Sequence, residues 1–176
     1  MSGIPATLGR RAGLGWGRRP LASPVIAVCV RTVSRHLRAA VTSAHHRQLQ
    51  ELREALLALH KTLVDSERAE YEQALGPIAS PGHLLKLLTD DPWFAWLHPL
   101  SLLIVAMDEA LDEKEPLTPS VTAELVGRTR QLLVASEEGD GFPRSYFDAL
   151  QRDPDVVFAH ARAADIFRAK PSAGRS

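Results

Sequence analysis

Leucine recurs at steps of three and four in the second quarter of the chain: Leu49, Leu52, Leu56, Leu59 and Leu63, with Leu57 and Val64 beside them. Steps of that size return to one face of a helix, so residues 45 to about 75 are predicted to form one long helix, stopped by Gly76-Pro77. The stripe resembles a coiled-coil seam but holds barely two heptads of strict leucine. Packing inside a bundle is therefore expected ahead of a free zipper, with self-association through the seam as its competing use. Past Ser66 the pattern gives way to Glu67, Arg68, Glu70 and Glu72, which predicts an end projecting toward solvent.

The densest apolar stretch follows, at residues 90–115. Asp91-Pro92 is a helix-start signal, because Asp accepts from otherwise unpaired backbone N–H groups and Pro tolerates the first helical position. Trp93, Trp96, Leu97, Leu100, Ile104, Met107 and Leu111 then mark one face, and Leu103 and Val105 widen it. Pro99 lacks an N–H and clashes with the carbonyl of Ala95, so this central helix must kink or restart there, with His98 as cap of the restarted piece. The run is too short, and too charged at its ends, to span a membrane.

Shorter helices are predicted at residues 82–88, 118–135, 142–151 and 153–168. Steps of a capping residue into proline recur at Ser80, Asp91, Thr118 and Asp153, so local start signals and apolar periodicity agree. Inward positions are predicted at Val121, Leu125, Leu132 and Leu133, and at Phe142, Tyr146, Phe147 and Leu150. Aromatics are only 6% of the chain and β-branched residues nowhere alternate for long. The expectation is an all-α fold: a compact bundle of about five helices, with a Pro-kinked central helix and a disordered basic N-terminal arm. Residues 1–44 form the arm, 45–168 the bundle and 169–176 a polar tail.

Charge sharpens that division. The formal net charge is zero, yet residues 1–50 hold eight arginines and no carboxylate, while residues 51–176 carry a net −8. The arm reads as a structureless tail or sequence upstream of the true start, as a targeting segment, or as an arm for polyanions. Against nucleic-acid binding stand the absence of aromatic interleaving beyond Trp16 and an acidic globule that repels phosphates. Cys29 is the only cysteine, which excludes an internal disulfide framework and a Cys-cluster metal site.

Candidate chemistry is sparse. Asp108, Glu109, Asp112 and Glu113 crowd the end of the central helix, where like charges four apart repel and carboxylates oppose the helix dipole. A solvated face absorbs that cost; the functional alternative is a patch for a basic partner or a divalent cation. The histidines show no metal-ligand spacing. Ser101 lacks a nucleophile elbow, and Gly139-x-Gly141 lies in an acidic turn that would repel phosphate. No catalytic residue, metal or cofactor is therefore expected. The stretches DPWFAWLHPLSLLIVAMDEAL, SEEGDGF and LQRDPDVVFAHA resemble those of small bacterial proteins of unassigned activity, a resemblance that implies no catalytic residue or ligand.

The sequence points to a cytoplasmic protein-interaction or regulatory module, with contacts at Asp108, Glu109, Asp112 and Glu113 or at the seam Leu49, Leu52, Leu56, Leu59 and Leu63. The alternative is a small-molecule or metal-binding helical protein, or an enzyme, with a pocket at the Pro99 kink formed by His98, Trp93, Trp96 and Asp108.

Overall fold

The computed structural model describes the backbone of residues 24–113 and 117–168, with side chains from Ser43 onward within those ranges. The helical core lies in the compact unit that begins at His36. The elements of the described residues are α1 (Pro24–Leu75), α2 (Pro81–Asp90), a 3-10 turn (Ala95–Leu97), α3 (His98–Asp112), α4 (Pro119–Leu132), α5 (Gly141–Arg152) and α6 (Pro154–Arg168). No strand occurs among the described residues, so the fold is all-α, with six α-helices where about five were expected.

α1 starts well ahead of residue 45, so part of the stretch assigned to a structureless arm is helical. The reason is local: no glycine or proline occurs between Val25 and Leu75, and Pro24 stands where a first helical turn tolerates proline. Residues 1–23 of the arm and the tail after Arg168 lie outside the described residues. At the other end Gly76 takes φ +99, and its N–H donates to the carbonyl of Glu72 at 3.1 Å. A side chain there would meet the left-handed steric penalty, so glycine is what lets the chain turn away.

The leucine seam faces inward. Leu49, Leu52, Leu56, Leu59 and Leu63 are fully buried, in one core with Phe94, Leu97, Leu100, Met107, Tyr146 and Val156. Beside the seam, Arg53 bonds Asp108, the His60 imidazole meets the Ser101 hydroxyl at 2.9 Å, and the Trp93 indole N–H donates to Glu67 at 3.1 Å. Numbers rise along α1 as they fall along the other segment, so α1 and α3 run antiparallel. Arg53, His60 and Glu67 are seven apart, two turns, and so occupy one flank of α1.

Of kink or restart at Pro99, the chain restarts. Asp91 accepts from the Trp93 N–H at 2.9 Å in a turn, the 3-10 segment follows, and α3 begins at His98 with Pro99 in its first turn. Ser80 and Thr118 do cap their helices, accepting from His83 N–H at 3.1 Å and Val121 N–H at 3.4 Å. Such caps contribute about 1 kcal/mol each.

Two inward faces differ from the periodic reading. Val105, predicted to widen the buried stripe of the central helix, is 50% exposed. On α4, Val121 is exposed while Thr122 and Thr129 are buried. Those hydroxyls donate to their own helix, to the carbonyls of Thr118 at 3.3 Å and Leu125 at 2.8 Å. With the donor satisfied locally, threonine packs as a small aliphatic residue, which hydropathy does not register.

Candidate functional site

α3 presents two faces. Leu100, Leu103, Ile104 and Met107 enter the core. Outward, at steps of four and three, stand His98, Leu102, Val105, Glu109 and Asp112, all exposed. Leu102 is 65% and Val105 50% exposed, and one turn on from them the row becomes acidic, with Glu113 beside Asp112. Beside this row runs a groove between α3 and α4 of about 460 Å³, lined by Pro99, Leu102, Leu103, Arg128, Gln131 and Leu132.

Pro99 thus borders a groove, but His98, Trp93, Trp96 and Asp108 do not line it. The exposed His98 ring donates from Nε2 to the carbonyl of Leu88 at 2.9 Å, tying the end of α2 to the start of α3. Trp93 is 37% exposed, edge-on to Tyr71 at 5.7 Å, with its N–H committed to Glu67. Trp96 is half-buried against Phe142, with ring centroids 5.5 Å apart. Asp108 lies ten residues beyond His98, about 15 Å along the helix. It is engaged with Arg53, whose pKa is raised first by that hydrogen bond, with the charges of Asp108, Glu54 and Asp112 adding to it.

The seam leucines have no surface to offer, being fully covered by the rest of the chain. The acidic residues divide. Asp108 is paired and Asp112 acts on Arg53 through its charge, whereas Glu109 and Glu113 form no ion pair among the described residues.

The strongest polar junction was not singled out by sequence. Glu67 is buried and accepts from Arg152 Nη2 at 2.6 Å and from the Trp93 indole, while the same Arg152 nitrogen reaches Ser66 Oγ at 3.2 Å. Arg152 Nε also lies 3.6 Å from Glu70. One carboxylate so joins α1, the turn before α3 and the end of α5. A groove of about 510 Å³ lies alongside, lined by Lys61, Asp65, Glu70, Arg152, Asp153 and Asp155 among others. Its cations are already matched: Lys61 to Asp65 at 2.6 Å, Arg152 to Glu67. A signal did exist, in the recurrence of polar residues every seven positions beside the seam.

Two partly buried hydroxyl–imidazole pairs link further helices. His60 and Ser101 join α1 to α3, and Tyr146 meets His160 Nδ1 at 2.7 Å between α5 and α6. Burial holds His60 below the ordinary histidine pKa; burial and then the Arg168 charge do so for His160; burial raises the Tyr146 phenol. The Ser101 hydroxyl also lies 3.4 Å from the Leu97 carbonyl four residues earlier, and among the described residues no carboxylate pairs with His60. The pair acts as an interhelix bond.

Among the described residues no group of three or more His, Cys, Asp or Glu side chains is arranged to hold a metal ion. No single helix among them is long and apolar enough to cross a membrane; α2 and Ala95–Asp112 reach that hydropathy together but meet at 75°. In comparisons with known proteins, the chain matches no family model, no curated protein and no solved structure.

Proposed function

We propose that this chain is a protein-interaction module whose contact surface is the outward row of α3 with the groove beside it. The observation that carries the reading is the exposure of Leu102 and Val105, two large aliphatic side chains one turn apart on a single face. Scattered apolar residues are ordinary on protein surfaces, but two in register beside a groove whose lining includes Pro99, Leu103 and Leu132 match the anchor spacing of helix-in-groove recognition. A cytoplasmic setting belongs to the same reading, in keeping with a chain that has one cysteine.

The test is affinity capture with the wild type and with a Leu102→Glu, Val105→Glu double variant. Both sites are exposed, so the melting temperature should change little. A partner retained by the wild type and lost by the variant supports the reading; equal capture by both refutes it.

A second reading, a small apolar anion in the groove, is favoured by Arg128, the one charged residue in its lining among the described residues. Under it, Arg128→Gln would abolish a ligand-induced rise in melting temperature while leaving partner capture unchanged.

A further inference from the structure

We infer that the partner presents a basic amphipathic helix, laid along α3 so that its apolar residues meet Leu102 and Val105 and its cations meet Glu109 and Glu113. The inference rests on the interaction reading above and adds to it the chemical class of the partner.

Three observations lead here. The exposed row is continuous on one helical face, and from Leu102 to Asp112 it spans about 15 Å, the length of roughly three helical turns. It is polarised: aliphatic in its first half, acidic in its second. The acidic half is also a local conflict, left standing among the described residues. Carboxylates in the last turns of a helix oppose its dipole and repel one another at steps of four. Arg53 answers Asp108, and through its charge Asp112, but among the described residues no cation pairs with Glu109 or Glu113. Departures from local consistency with no internal compensation concentrate where a protein meets something else. A cation supplied from outside would answer both the dipole and the mutual repulsion.

The occupant follows from complementarity. An acidic helix would be repelled by Glu109, Asp112 and Glu113, and a wholly polar basic segment would leave Leu102 and Val105 in water. A helix with aliphatic residues at steps of three and four, and Lys or Arg flanking one half, satisfies both parts of the row. Self-docking of α3 against a second copy is disfavoured, since it would bring further carboxylates to the row in a parallel arrangement and leave them unanswered in an antiparallel one.

The test uses the full chain and two synthetic amphipathic helices with the same leucine pattern, one with lysine and one with glutamate at its polar positions. Binding is followed by fluorescence anisotropy at low and raised salt. The lysine peptide should bind about tenfold tighter than the glutamate peptide, the margin expected when several exposed ion pairs act together, and salt should narrow the gap. Reversing Glu109 and Glu113 to lysine should invert the preference, whereas reversing Glu137 and Asp165, which lie off α3, should leave it unchanged. Equal binding of the two peptides, no binding of either, or an effect of the same size from the off-site reversal overturns the inference.

Failure of the interaction reading is seen separately. If capture of the partner survives Leu102→Glu with Val105→Glu, that reading falls. If capture is lost there but withstands charge reversal at Glu109 and Glu113, the interaction stands and the basic helix does not.

Discussion

His60 and His160 each place an imidazole nitrogen on a hydroxyl at a partly buried contact between helices, and burial holds both below the ordinary value of 6.5. The unfolded chain therefore takes up protons more readily than the folded one. Stability should be level above pH 6.5 and should fall as the pH drops through 6.5 toward the lower folded values. Carboxylates titrate near pH 4, so urea denaturation between about pH 7 and 5 isolates the histidines. A double variant, His60→Gln with His160→Gln, should flatten that slope; a wild type already flat there would mean that the two rings are not kept from water. Neither pairing was legible beforehand, because each partner lies in another helix and only a spacing in three dimensions brings hydroxyl to imidazole.

At the scale of elements, starts and stops were the most legible features. Ser80 and Thr118 cap as their chemistry dictates, and Gly76 ends α1, because each of these depends on neighbours within four residues. How the elements are held together depends on distant pairs. Glu67 is the clearest: read from sequence it belongs to a polar, solvent-facing end of α1, yet it is buried under Arg152 and Trp93. The degraded seam past Ser66 is a change of partner, from leucines to a charged junction. Glu67→Ala should cost about 1–3 kcal/mol, since it leaves both a guanidinium and an indole N–H without their acceptor. Glu67→Gln, which keeps an acceptor, should cost less; equal and negligible losses in a denaturation series would show that water replaces the carboxylate freely. The inward face of α4 was misread for a related reason, because a threonine bonded to its own helix is apolar in effect while polar in composition.

For the molecule as a whole, the leucine seam decides between a zipper and a core. All five leucines are fully covered within one chain, so Leu56→Ala should lower stability by about 2–5 kcal/mol without altering the mass seen by light scattering. A variant that changed the mass and left stability alone would make the seam an interface between copies. The sequence determined that the fold is helical, where most helices begin and end, and which stripe of α1 is apolar, because these follow from periodicity and from contacts a few residues apart. Tertiary structure decided which apolar residues remain in water. Leu102 and Leu103 are neighbours of one chemical type, and only the packing of α4 and α1 around α3 makes one a surface and the other a core. His98, Trp93, Trp96 and Asp108 turn to different partners for the same reason: residues close along a helix diverge around its axis. Their partners, Leu88, Glu67, Phe142 and Arg53, are set by neighbouring elements whose placement no single stretch encodes.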